Sequence, residues 1–267
     1  MPELPDVEFF RRRFEESALD RTVDDVSAES AVLEGLSEKA FKDALLDVFF
    51  VESRRHGKYM FSRYRSGGSR GGESWLVMHF GMTGYLQPCP SAKEKPPHTR
   101  MLVSFKDGGS LAYSCQRKLG RIQLTDDIDR FLTDMKLGPD ALADEMDFAA
   151  FRERIVKSRG ALKSTLMNQS LIAGIGNIYS DEILYQARIH PRRKPAELSA
   201  GMFEKLYEAM RYVLNAAIDA AAVPERMPAD FLLARRQPDA PCPCGGRIEK
   251  ISISGRHGYY CPNCQVN

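Results

Sequence analysis

The chain has 267 residues, 43% hydrophobic and 28% charged, with a formal net charge of +2, which excludes a disordered, collagen-like or coiled-coil protein and suits two globular domains with a small appendage. No apolar run approaches the ~18 residues of a membrane span; the longest, Val213 to Val223, is broken by Asn215 and Asp219, and Arg11-Arg12-Arg13 runs into Glu15-Glu16 with no apolar signal-peptide core, so a cytoplasmic monomer is expected. The charge is partitioned: residues 1–50 hold 13 acids and 6 bases, whereas 53–70 hold Arg54, Arg55, Lys58, Arg63, Arg65 and Arg70 with no acid, and Arg117-Lys118 with Arg121 and Arg188 with Arg192-Arg193-Lys194 form further clusters. Such local excess fits either a polyanion partner or a solvated basic face.

In chain order, two prolines in the first five residues precede a helical stretch, begun at Pro5 or Asp6, with Val7, Phe10 and Phe14 on one face. From about Val48 to Leu124 the pattern is that of short strands. One holds Tyr59, Phe61 and Tyr64, and another spans Trp75–Phe80. Met101–Phe105 and Ser110–Tyr113 flank the turn Asp107-Gly108-Gly109. Residues 66–72 read as a Gly/Ser loop. After about Asp127 helices are expected over Phe148–Ser158, Leu162–Asn168, Tyr179–Ala187 and Ala200–Ala222, the last with Met202, Leu206, Ala209, Met210, Val213, Leu214, Ala217 and Ile218 on one stripe. The Pro/Arg-rich stretch 223–241 reads as a linker. The chain is thus β-rich, then α-rich, then a small cysteine module.

That module pairs Cys242-Pro243-Cys244 with Cys261-Pro262-Asn263-Cys264 across 16 residues, with Ser254-Gly255 between two short apolar runs. Four thiols in two close pairs around a hairpin is the layout of a closed structural zinc site, although the first pair has one residue fewer between its thiols than usual. Cys89 and Cys115 are expected only to pack. Gly174-Ile175-Gly176-Asn177 allows a tight turn with close backbone approach, ending at a helix N-terminus that can present N–H groups to a phosphate. Loss of Met1 would leave Pro2 as a secondary amine, with the α-amino pKa of about 8, able to attack an electrophilic carbon beside a proton-transferring Glu3.

In this order along the whole chain, these features resemble the formamidopyrimidine-DNA glycosylase / endonuclease VIII family, with Leu4 and Val7 leaning to the formamidopyrimidine branch. The resemblance implies an α+β multidomain fold: an N-terminal catalytic β-sandwich with flanking helices (1–127), a helix-two-turn-helix domain (128–222), a linker (223–241) and a zinc-finger hairpin (242–267). It implies base-excision repair through a Pro2 iminium, with Pro2, Glu3 and Lys58 catalytic and β,δ-elimination at the abasic site. The partner is double-stranded DNA carrying damaged bases or abasic sites, contacted by His98, Asn177, Arg256, Met82, Arg117 and Leu119. One structural Zn2+ is held by Cys242, Cys244, Cys261 and Cys264. A lesion-binding protein without cleavage is the alternative, against which the intact Pro2-Glu3 pair argues. Departures are Asp6 for Glu, and Cys115-Gln116-Arg117-Lys118-Leu119-Gly120 where the family has Asp-Pro-Arg-Arg-Phe-Gly. The 223–241 stretch also lacks the Gly-rich segment of the branch. Substrate use that is broader, or shifted toward oxidised pyrimidines, is the expectation these carry.

Overall fold

The structure, a computed structural model, describes residues 1–66 and 74–266; most of the expected Gly/Ser loop at 66–72 lies outside the described residues. The chain divides into two compact units, one of Met1–Pro2 with Asp6–Met135, the other of Glu3–Pro5 with the chain from Lys136 onward.

The first unit holds two four-stranded antiparallel sheets. One has the order β1-β6-β7-β5, with β1 Val23–Ala28, β5 Gly84–Cys89, β6 Thr99–Phe105 and β7 Ser110–Cys115; the other has the order β2-β3-β4-β8, with β2 Val48–His56, β3 Tyr59–Ser66, β4 Ser74–His79 and β8 Arg121–Thr125. Helix α1 runs Leu4–Ala18, α2 Glu38–Leu45 and α3 Ile128–Asp134. α1 begins before the expected Pro5 or Asp6. The core takes Val7, Phe10 and Phe14 from α1, as their spacing predicts, together with Phe41, Phe50, Met60, Leu76, Phe80 and Tyr113. Trp75–Phe80 is shorter by its last residue, since the strand ends at His79. β1 lies before the expected strand region, and within that region β2, β5 and β8 are not singled out; three of these four carry a weak local signal. In β1 a bulge between Val23 and Asp25 breaks the alternation, and β5 contains Pro88, which only an edge strand accepts. The third, β8, has a single fully buried apolar residue, Ile122, in five.

The second unit contains α4 Phe148–Val156, α5 Leu162–Leu166, α6 Asn177–Gln186 and α7 Ala200–Asp219, then a hairpin of β9 Glu249–Ile253 and β10 Arg256–Tyr260. Asp147 and Ser199 cap α4 and α7 by accepting from Ala150 and Met202 N–H, a device worth about 1 kcal/mol each. The α7 stripe buries Phe203 as well as Leu206, Ala209, Met210, Val213, Leu214 and Ala217, while Met202 and Ile218 are only partly covered. The stretch 223–241, expected as a linker, packs instead: Met227, Phe231 and Leu232 are buried, which its Pro and Arg content conceals. Among the described residues no helix is long and apolar enough to cross a membrane.

Candidate active site and nucleic-acid interface

The N-cap of helix α6 is Gly176, which has no side chain to cap it. Glu3 fills that place from the far end of the sequence. Its buried carboxylate accepts from Gly176 N–H (2.7 Å), Ile178 N–H (2.8 Å) and Tyr179 N–H (3.2 Å). Leu4 N–H donates to Gly174 O at 3.0 Å, so the residue that follows Glu3 is tied to the same turn. The glycines permit this approach: a Cβ on Gly176 would overlap the Glu3 carboxylate, and one on Gly174, whose φ is +114°, would fall on the Leu4 side chain. The close approach expected of this turn is therefore present. The helix N-terminus, which could present N–H groups to a phosphate, gives three of its donors to the Glu3 carboxylate.

In the first unit Lys58 is buried, following Gly57 (φ +57°) between β2 and β3. His79, at the end of β4, stacks its ring 4.8 Å from that of Tyr59, and its Nδ1 accepts from Gly81 N–H at 3.3 Å, which places the ring proton on Nε2. Burial, helped by the cations of Lys58 and Arg121, holds His79 down to about 4, so it is neutral at pH 7.

The turn after His79 carries Met82, and the turn after β7 carries Arg117 and Leu119. Met82 and Leu119 are 42% and 49% exposed, high for large apolar side chains. The two turns are fastened together. Tyr113 hydroxyl donates to His79 O (2.8 Å), Arg117 N–H donates to Thr83 Oγ1 (3.2 Å), and Gly81 and Gly120 leave no room for a Cβ against Leu119 and Tyr113 respectively. Met82, Arg117 and Leu119 thus share one braced pair of turns. His98, exposed with φ +60°, accepts from Cys115 N–H through its carbonyl at 3.0 Å. Cys89 and Cys115 are buried, as expected.

The basic clusters are less free than composition suggests. Arg55 pairs with Glu8, Arg54 and Arg63 with Glu52, Lys118 with Glu29 and Arg121 with Glu34. Arg54 and Arg63 also lie over Trp75. Arg70 lies outside the described residues. Arg117 and Arg256 are exposed.

In the second unit Asn177 opens α6 and donates from Nδ2 to His257 O at 3.0 Å; its amide keeps a second N–H for a ligand. Arg256 opens β10 opposite Ile253, after a two-residue turn in which Ser254 and Gly255 both have positive φ, the geometry that a tight hairpin requires.

The four hairpin cysteines come together despite the short first pair. Their Sγ atoms all lie within 4.8 Å of one another, with Cys242–Cys264 at 3.6 Å and Cys244–Cys261 at 3.5 Å. Tetrahedral zinc with ~2.3 Å bonds to sulfur sets its ligands about 3.8 Å apart, so the residues fit one Zn2+. The Tyr185 hydroxyl, 3.1 Å from Cys242 Sγ, supplies the outer hydrogen bond such thiolates commonly have.

Three regions of the sequence match known families. Residues 1–122 match the formamidopyrimidine-DNA glycosylase N-terminal domain, 137–226 the formamidopyrimidine-DNA glycosylase H2TH domain, and 241–266 the zinc finger found in FPG and IleRS. The chain belongs to the formamidopyrimidine-DNA glycosylase family. It is 34% identical over 301 residues to the formamidopyrimidine-DNA glycosylase of Thermomicrobium roseum, covering 99% of each chain, and 32% identical over 280 residues to that of Desulfitobacterium hafniense, covering 100% of each. Among solved structures it resembles the Lactococcus lactis Fpg in complex with DNA containing an abasic site (28% identity, TM-score 0.86, 99% and 100% of the two chains). It is likewise similar to the wild-type Fpg of that organism with DNA containing N7-benzyl-Fapy-dG (27%, TM-score 0.87, 100% of both). The family's activity is base-excision repair, in which one enzyme removes the damaged base and cleaves the resulting abasic site.

What sequence reasoning missed is a buried ionic cluster around Asp181, built from Lys163, Asp181 and Arg236. These residues lie 18 and 55 positions apart and carry no shared periodicity, so no local signal marks them.

Proposed function

We propose that this family member excises oxidised bases through its N-terminal proline, with residues 1–127 as the catalytic sheet domain, 128–222 as the helical DNA-binding domain, 223–241 as the connection and 242–267 as the zinc hairpin. With Met1 removed, the secondary amine of Pro2 attacks C1′ of a nucleotide turned out of the duplex. The C1′–N bond breaks and its electrons leave with the base. Glu3 protonates the ring oxygen, and the nitrogen lone pair closes to an iminium. Successive β- and δ-elimination then expel the 3′ and 5′ phosphates, Lys58 supporting proton movement. The observation that carries the reading is Glu3: a carboxylate next to the nucleophile, oriented by three backbone donors drawn from 173 to 176 residues away.

Arg256 neutralises a phosphate, and Asn177 and His98 contact phosphates by hydrogen bonds, which gives affinity and register without sequence readout. Met82, Leu119 and Arg117 fill the space the nucleotide leaves. Zinc, when bound, only holds the hairpin that carries Arg256. Since the substrate is duplex DNA, the place of action in a bacterium is the cytoplasm, on the nucleoid.

Borohydride trapping on duplexes with 8-oxoguanine, a ring-opened purine, an oxidised pyrimidine or a bare abasic site tests this. We expect a covalent adduct that disappears when Met1 is retained. Trapping through a lysine in place of the N-terminus would refute the Pro2 assignment.

A further inference from the structure

Lys163, on α5, and Asp181, on α6, have side chains 1% and 0% exposed. Lys163 Nζ donates to Asp181 Oδ1 (2.6 Å), Ser180 Oγ (3.0 Å) and Asn177 O (3.0 Å). Asp181 Oδ2 accepts from Arg236 Nη2 (2.7 Å) and Nε (3.1 Å) and from the backbone N–H of Tyr259 on β10 (3.1 Å). One carboxylate therefore answers two cations and a strand amide. Burying such a triad is costly, and apolar side chains of similar volume often serve stability as well. What a triad adds is direction.

Here the direction is informative. The network grips the first residue of α6 by its carbonyl, through Lys163 and through Arg236 Nη2 at 3.4 Å, and holds β10 through Tyr259. The Arg236 guanidinium also lies over the Tyr259 ring, 4.7 Å from its centre. β10 approaches so closely that a Cβ on Gly258 would meet Asp181 Oδ1 at 2.7 Å and Lys163 Cε at 2.9 Å. A second link, Asn177 Nδ2 to His257 O, closes the same gap from above. Turning that amide over would set oxygen against oxygen, so its orientation is fixed.

We propose that Asp181 is a positioning residue for DNA binding: with Lys163 and Arg236 it clamps the N-terminus of α6 to β10 and so sets the separation of Asn177 and Arg256. The proposal rests on the reading that these two residues contact phosphates. It makes their spacing a property of the triad as well as of zinc, which anchors the hairpin at its cysteine end.

The test uses the full chain with its zinc and a duplex containing a stable tetrahydrofuran abasic analogue. Affinity is measured over a range of salt concentrations for the wild type, Asp181→Asn and the apolar pair Lys163→Met/Asp181→Leu, which keeps the interior filled if the single variant folds poorly. Each phosphate neutralised by a Lys or Arg contributes roughly 0.9 to the slope of log K against log salt, so Arg256 carries the slope while Asn177, a neutral amide, contributes to affinity only. Both variants should weaken binding about tenfold or more and lower the slope by up to roughly one. KM on abasic duplex should rise while kcat at saturating DNA stays near wild type. A fall in thermal midpoint with affinity and slope unchanged would show a structural role only and overturn the clamp. The variant Asn177→Ala/Arg256→Ala separates the two failures. If it leaves the slope intact, the phosphate reading falls and takes the clamp's purpose with it. If it lowers the slope while the triad variants do not, the clamp alone falls.

Discussion

Gly176 shows how a single absent carbon supports chemistry. Three N–H groups of one turn converge on Glu3 only because nothing projects from Gly176 into the carboxylate. Gly176→Ala should therefore displace Glu3 rather than unfold the helix, since Gly176 is an N-cap with extended backbone that alanine adopts, at a capping cost of about 1 kcal/mol. Base excision should fall about a hundredfold, within the range removed with a general acid, while affinity for abasic-analogue DNA changes little. Single-turnover kinetics beside a binding titration check this, and near-normal excision would show that Glu3 needs no such orientation. His79 makes a second residue-scale case. Its pKa in the fold is about 4 against 6.5 for the free side chain. Between those values the unfolded chain takes up a proton that the folded one refuses, so stability falls as pH drops from 6.5 toward 4. Between pH 7 and 4.5 the wild type should lose about 2 kcal/mol more than His79→Asn, whose amide oxygen can still accept from Gly81 N–H. Urea unfolding at the two pH values measures it; equal losses would mean that His79 is readily protonated in place.

At the scale of elements, the two braced turns make a prediction that geometry alone supplies. A methyl group on Gly120 would overlap the Tyr113 hydroxyl, and that hydroxyl is also the donor to His79 O. Gly120→Ala should cost about 2 kcal/mol and Tyr113→Phe about 1 kcal/mol, yet the double variant should be more stable than their sum, because removing the hydroxyl makes room for the methyl. A double-mutant cycle reads the coupling; strict additivity would show that the turns are not fastened through Tyr113. Elements with a local signature were legible in the sequence: α7 through its stripe, β6 and β7 through Asp107-Gly108-Gly109, and the zinc hairpin through its cysteines and Ser254-Gly255. Elements shaped by distant partners were not. β1 hides its period in a bulge, β5 carries a proline tolerated only at the sheet edge, and residues 223–241 hide Phe231 and Leu232 among prolines and arginines. The candidate residues divide the same way. Pro2, Glu3, Asn177 and Arg256 follow from motif order, whereas the capping of α6 by Glu3 and the Asp181 triad depend on contacts that only folding makes.

For the molecule as a whole, the question is which lesion it prefers, and the departures from the family pattern bear on it most. Leu119 stands where the family has Phe, and base–aromatic stacking is worth roughly 1–3 kcal/mol per base. An aliphatic wedge fills space but offers less to distinguish the base it meets. Residues 223–241 are short and also held down. Leu232 and Leu233 donate their N–H groups to Glu182 at 3.0 and 2.8 Å, and Arg236 is bound to Asp181. A stretch fastened at both adjacent carboxylates of α6 has little free chain with which to close over a purine. Both features remove contacts that would favour one lesion, so discrimination should be weak. We expect 8-oxoguanine to be excised modestly, and ring-opened purines, oxidised pyrimidines or bare abasic sites to be processed at least as fast. Single-turnover rates across such a panel, each lesion opposite each base, decide the matter. A strong preference for 8-oxoguanine opposite cytosine, lost on changing one residue within 223–241, would mean that this fastened stretch does cap the base and that its attachment to α6 opens during catalysis.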